Sequence, residues 1–175
     1  MMKTWITSDS HFQHSNIIKY CSRPFKDVNE MDETLVSNWN SIVDKNDTVL
    51  HLGDFAFVKT REEIRKIVDK LNGHIHLLLG NHDDWKLVKD NGFASTRDGI
   101  WEYKYGKEKI VLCHYPMMSW NGAFHNRLHF FGHVHSTPSN IFPCQKNSYD
   151  VGVDLNDFRP RLLEEIIDKC RTKTN

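Results

Sequence analysis

Five short clusters in this 175-residue chain carry groups that could do chemistry: Asp9-Ser10-His11, Gly53-Asp54, Gly80-Asn81-His82-Asp83, Cys113-His114 and Gly132-His133-Val134-His135. Each falls at or just beyond an apolar run. In "HIHLLLGNHDD" (74–84), a buried-looking strand ends in four consecutive groups able to ligate a metal or carry a proton. Turn chemistry accounts for Gly80 and Asn81 and leaves His82 and Asp83 unexplained.

Asp9, His11, Asp54, Asn81, His114, His133 and His135 are the candidate metal ligands. In extended chain, residues i and i+2 project to one side about 7 Å apart. Asp9 with His11, and His133 with His135, can therefore each reach around one small site. Two carboxylates, several imidazoles and an amide oxygen suit Mn, Fe, Zn or Ni better than calcium. Seven ligands are too many for one tetrahedral ion and suit two divalent transition-metal ions sharing a bridging carboxylate. With two such ions, two aspartates and one hydroxide, the centre keeps a net single positive charge. That charge favours a phosphate ester, which paired ions can clamp while activating a shared water.

These groups need strands that end together. "KTWITSD" (3–9), "DTVLHLGD" (47–54) and the run from 74 read as strands. "KDVNEMDETLVSNWNSIV" turns helical, with Asp27 and Glu30 as a capping box and Met31, Leu35, Trp39 and Ile42 on one face. "TREEIRKIVDKLNG" (60–73) is a helix with a box at Thr60 and Glu63 and a closing Gly73. Strand, helix, strand predicts a βαβ unit with parallel neighbours, and ligands then gather beyond the carboxyl ends of the strands. After Gly92 the pattern changes. "IWEYKY" (100–105) and "KIVLCH" (109–114) form an antiparallel hairpin, "LHFFGHVH" and "SYDVGVD" read as further strands, and a helix follows Pro160. The sum is an α/β domain spanning 1–175, with βαβ units first and antiparallel strands after.

Composition sets bounds. Hydrophobic residues at 39% and charged residues at 26% fit a globular domain. Lys+Arg and Asp+Glu balance at 23 each, so no global positive field favours duplex nucleic acid. The four cysteines form no CxxC pair, and Cys113 and Cys170 sit among aliphatic residues as core hydrophobes. No run approaches a membrane span and the N-terminus lacks a signal-peptide core, so the expected location is cytoplasmic. Eleven histidines are the compositional anomaly. His51, His74, His76 and His129 are read as structural.

The ordered set DxH, GD, GNHD, H, GHxH, from Asp9 to His135, resembles the calcineurin-like metallophosphoesterases. The extended opening "SDSHFQHSNIIKYCSRPF" is similar to a small stand-alone branch of that superfamily. The resemblance implies a four-layer α/β/β/α sandwich of two mixed sheets flanked by helices, with the metal site at the strand C-terminal edge. It implies one metal on Asp9, His11, Asp54 and His135 and a second on Asp54, Asn81, His114 and His133, with Asp54 bridging. His82 corresponds to the family's non-ligand histidine, which protonates the leaving group or steadies the transition state, and Asp83 is expected to orient it. Where some relatives carry GDxxDRG this chain has "GDFAF", a departure from the protein serine/threonine phosphatase branch.

The expected activity is hydrolysis of a small phosphate ester by a metal-bridging hydroxide, with phosphodiesters, including small nucleotide ones, favoured over monoesters. A nuclease, a phosphomonoesterase and a non-catalytic metal-binding scaffold are the rivals; a scaffold should have lost ligands, and none is lost. His14 either meets the substrate phosphate or caps the helix after it. Arg23 either binds phosphate or is an ordinary loop arginine. The segment 117–127 should overhang the site, with Trp120, Asn121 and His125 as candidate substrate contacts and Trp120 offering a stacking face for a base.

Overall fold

The computed structural model of the chain describes residues 2–172. In chain order the elements are β1 (Thr4–Thr7), α1 (Ser15–Tyr20), α2 (Val28–Asn40), β2 (Thr48–His51), α3 (Arg61–Val68), β3 (His74–Leu78), α4 (Trp85–Val88), β4 (Ser95–Arg97), β5 (Ile100–Tyr105), β6 (Glu108–Cys113), β7 (Leu128–Phe131), β8 (Ser148–Asp150), β9 (Arg161–Leu162) and α5 (Leu163–Thr172).

Two mixed sheets result. The first runs β4-β3-β2-β1-β9, parallel except for the antiparallel edge strand β9. The second runs β5-β6-β7-β8, with an antiparallel β5–β6 hairpin followed by parallel β6, β7 and β8. The expectation of antiparallel strands after residue 92 therefore holds for the hairpin and for β9, whereas β4, β7 and β8 pair parallel. The links from β6 to β7 and from β7 to β8 are long returns rather than tight turns, so each strand restarts in the same direction. A parallel bridge between Ser8 and Gly152 joins the carboxyl ends of β1 and β8. The parallel strands of both sheets thus finish at one edge.

Strand alternation builds two cores. Trp5, Val49, Ile75 and Leu77 face one way and pack with Met31, Leu35 and Trp39 of α2 and Ile64 and Ile67 of α3. Ile6, Leu50 and Leu78 face the other way, against Ile110, Leu112, Leu128 and Phe130 of the second sheet and Leu163, Ile166 and Cys170 of α5. Trp101, Tyr103 and Tyr105 pack half-buried on this second core.

The helices begin where local chemistry starts them. At α3, Thr60 Oγ1 accepts the Glu63 N–H at 3.2 Å and Glu63 Oε2 accepts the Thr60 N–H at 3.0 Å, closing the predicted box. At α2 the Asp27 carboxylate accepts the Glu30 N–H at 3.0 Å, but Glu30 reaches one residue further back, to Lys26 N–H at 2.7 Å. Helix α1 is six residues long with no side-chain cap and only Ile17 buried, so no periodic signal announced it.

Candidate metal centre

Every candidate ligand follows the end of a parallel strand: Asp9 and His11 after β1, Asp54 after β2, Asn81 after β3, His114 after β6, and His133 and His135 after β7. The strands stop short of the lengths expected from sequence because the ligands themselves leave extended conformation. Asp9, His11, Asp54, His133 and His135 have φ of 58°, 52°, 54°, 70° and 47°. Left-handed backbone costs a non-glycine residue on the order of 1–3 kcal/mol, and such strain persists where surrounding structure enforces it.

Close nesting of the loops supplies that enforcement. A Cβ on Gly53, whose φ is +97°, would lie 2.4 Å from Gly80 N, and one on Gly132 would lie 2.2 Å from an Asp9 carboxylate oxygen. Only glycine lets these segments touch. Backbone bonds then lock them: Asp9 N–H to Gly53 O at 2.9 Å, His11 N–H to Asp54 O at 3.0 Å and Gly132 N–H to His114 O at 2.9 Å.

The side chains assemble into two triads, Asp9 with His11 and His135, and Asp54 with His114 and His133, each with potential ligand atoms within 4.8 Å of one another. One atom joins them. Asp54 Oδ2 lies 3.4 Å from His11 Nε2 and 3.5 Å from His114 Nε2, while Asp54 Oδ1 accepts the His82 N–H at 2.9 Å. The Asp9 carboxylate is likewise aimed by a neighbouring loop, accepting the His133 N–H at 3.0 and 3.1 Å.

Outer partners fix the imidazoles, as metal-bearing histidines require. His114 Nδ1–H donates to Leu52 O at 2.8 Å, which fixes the ring with its Nε2 aimed at Asn81 Oδ1 at 3.1 Å. That nitrogen and that oxygen are both donor atoms a shared cation could take. His135 Nδ1–H donates to Asp154 Oδ2 at 2.8 Å and leaves Nε2 3.8 Å from Asp9 Oδ1. His11 Nε2 is buried without a hydrogen-bond partner. Both orphaned nitrogen and donor types fit divalent transition metals.

The electrostatics point the same way. Burial pushes the Asp9 carboxyl up to about 7 against the lowering effect of His135, the signature of a buried carboxylate short of positive charge. Burial also raises Asp54, yet the close His11 and His114 imidazoles and the His82 backbone N–H outweigh that and hold it well below the usual carboxylate range. Burial brings His11 down to about 4, keeping its ring neutral.

The other expected site residues divide. His82 stands exposed at the rim, its ring centroid 5.4 Å from His11. Asp83 does not reach that ring. Its carboxylate accepts the N–H groups of Asp54, Phe55 and Gly80 at 2.8, 2.9 and 2.9 Å, because the tight Gly80 turn points it back at the neighbouring loop. His14 sits at the N-cap position of α1 without capping it; it contacts His11 Nδ1 at 3.1 Å and stacks on Phe57.

Arg23 is a correction to the phosphate-binding alternative. It is buried, its Nε and one Nη bond both Asp154 oxygens at 2.8 and 2.9 Å, and its remaining N–H groups take Asp9 O, Ser10 O and Met31 Sδ. No donor is left for substrate. Trp120 corrects the stacking expectation: it is 7% exposed, packs on His129 and donates from Nε1 to Arg127 O. Asn121 donates to Glu102 at 2.6 Å, and His125 lies exposed in a 3₁₀ turn. Neither contacts a candidate ligand. A 580 Å³ cleft between α2 and α3 contains none of the ligands either.

Asp154 is a site residue that the sequence reading does not include, although "DVGVD" repeats the pattern of a strand ending in carboxylates. Its partners, Arg23 and His135, are 131 and 19 residues away. Of the histidines read as structural, His51 is buried and bonded to Ser10 Oγ at 2.9 Å, and His129 donates from Nδ1 to Val111 O while Nε2 accepts the Met117 N–H.

Comparison with known proteins agrees with this geometry. A family model described as "Calcineurin-like phosphoesterase superfamily domain" matches residues 2–146. The chain is 33% identical to the uncharacterized protein MJ1445 of Methanocaldococcus jannaschii, covering 95% of this chain and 90% of that one. It is 26% identical to the Gene 66 protein of Mycobacterium phage L5, covering 88% and 87%. Among solved structures, a protein of unknown function, AQ665 from Aquifex aeolicus, superposes with a TM-score of 0.77 at 26% identity, covering 97% of this chain and 99% of that one. An archaeal phosphodiesterase superposes at 0.50 and 19% identity, covering 88% and 84%, a likeness of fold. With the family model spanning most of its length and ending beyond the last candidate ligand, the chain belongs to the calcineurin-like phosphoesterase superfamily.

Proposed function

We propose that the chain is a dinuclear metal-dependent phosphoesterase that favours phosphodiesters. The observation that carries this reading is the single oxygen, Asp54 Oδ2, set between His11 Nε2 and His114 Nε2 of the two triads. A pair of divalent cations held by Asp9, His11, Asp54 and His135 on one side and Asp54, Asn81, His114 and His133 on the other would supply Lewis-acid charge and an activated water nucleophile. Asp54 would serve both positions through Oδ2, and the backbone N–H of His82 holds its other oxygen, Oδ1, at 2.9 Å.

His82 gives a proton to the leaving oxygen. Its ring is exposed beside both triads, and its backbone is tied to the bridging carboxylate, so substrate and acid share one frame. The diester preference follows from the arginines. Arg23 is consumed by Asp154, and Arg127 lies against Glu102 and Asn121 O at 3.5 Å, so neither neutralises the second charge of a monoester dianion.

The test is kcat/KM on bis-nitrophenyl phosphate, nitrophenyl phosphate and an alkyl phosphodiester with Mn, Fe, Zn and Ni in turn, for wild type and His82→Ala. The diester should be cleaved at least as well as the monoester. His82→Ala should keep its metal and lose rate by roughly 10²–10⁴-fold on esters with alkoxide leaving groups, and less on nitrophenyl esters. A strong preference for monoesters would overturn the diester assignment, and an equal loss on both ester types would overturn the acid role.

A further inference from the structure

The geometry points to Phe57 as the contact that selects a planar leaving group, and we propose that its free face stacks on a nucleobase or aryl ring attached to the scissile phosphate. This rests on the phosphoesterase reading above. Phe57 is 52% exposed, unusual for a phenylalanine at the rim of a polar cluster. One face lies on the His14 ring, with centroids 4.4 Å apart and planes 18° from parallel. The ring meets His82 edgewise at 5.9 Å, next to the group proposed to protonate the leaving oxygen.

The backbone beneath the ring is anchored. Phe57 N–H donates to Phe12 O at 2.8 Å, and Ala56 pairs with Phe12 in a parallel bridge. An exposed ring already held in place gives up little freedom when a second ring covers it. Exposed Tyr20 approaches His14 at 6.4 Å and extends the aromatic rim. Trp120, the residue that sequence suggested for this role, is packed away, so the stacking surface passes to the "GDFAF" segment.

The test compares binding of thymidine 5′-monophosphate and methyl phosphate to the metal-loaded protein by calorimetry. The two probes share a phosphate and differ in the base. Wild type should prefer the nucleotide by roughly 5- to 140-fold, the range expected for one base stacked on one aromatic ring. Phe57→Leu keeps an apolar contact for His14 but removes the aromatic face, and should bring the two affinities together; Phe57→Trp should restore the preference. Equal binding by wild type, or a preference surviving in Phe57→Leu, overturns the proposal. If methyl phosphate binds and bis-nitrophenyl phosphate is hydrolysed while the base preference is absent, the platform alone fails. If neither occurs, the phosphoesterase reading fails and takes the platform with it.

Discussion

Asp54 and Asp83 hold each other's loops: the Asp83 carboxylate accepts the Asp54 N–H at 2.8 Å, and the Asp54 carboxylate accepts the N–H of His82, the residue before Asp83, at 2.9 Å. The same Asp83 group also takes Phe55 and Gly80 N–H, so one side chain sets the spacing of the loops after β2 and β3. Burial raises its carboxyl to about 6 against the lowering effect of those three amides.

Removing that clasp should loosen the centre rather than the proton chemistry. Asp83→Ala leaves three amides without their acceptor and should cost at least about 2 kcal/mol of stability. It should also weaken metal uptake, measured by denaturant unfolding and metal titration. Were Asp83 acting on the His82 ring instead, rate would fall with stability and metal content unchanged.

Arg23 tests the same frame from the other side. It is paired with Asp154, which orients His135, and it holds the backbone oxygens of Asp9 and Ser10. Arg23→Met strands a buried carboxylate and should destabilise the protein by about 3–5 kcal/mol, with weakened metal binding at the Asp9 triad. A variant of wild-type stability showing only a raised KM would restore Arg23 to the substrate.

Much of this site was legible in sequence, because glycine and ligand stand side by side at each strand end. The ligand set Asp9 to His135 comes together at one sheet edge since parallel strands leave no other place for those ends. The illegible parts are long-range pairings. Nothing local distinguishes Arg23 as a buried clamp, since its partner lies 131 residues on. Asp83 looked like a partner for its neighbour His82, but the sharp turn at Gly80 sends adjacent side chains in different directions. Parallel pairing of β6 with β7 depends on a crossover whose path carries no periodic signal.

Metal binding should release protons. Burial lowers the His135 pKa, but its hydrogen bond to Asp154 and the charge of Asp9 outweigh this and raise it to about 10. At pH 8 the metal-free protein therefore carries that proton, and ligation through Nε2 requires its loss. Asp9, raised to about 7, adds a second release as pH falls toward 7. Affinity should thus climb with pH up to about 10. Calorimetry in buffers of different ionisation enthalpy should find at least one proton released at pH 8, from His135, with any hydroxide formed from metal-bound water adding to it; a result near zero would contradict the assignment.

Asp54 is proposed to join two metal positions into one centre, and elemental analysis paired with activity reads that joining. Wild type reconstituted and freed of excess metal should hold about two equivalents per chain, with turnover appearing as the second is filled. Asp54→Asn should lose affinity at both positions and abolish turnover while keeping its fold by circular dichroism. Full activity from a protein holding a single equivalent, or an Asp54→Asn variant that binds two and turns over normally, would contradict it.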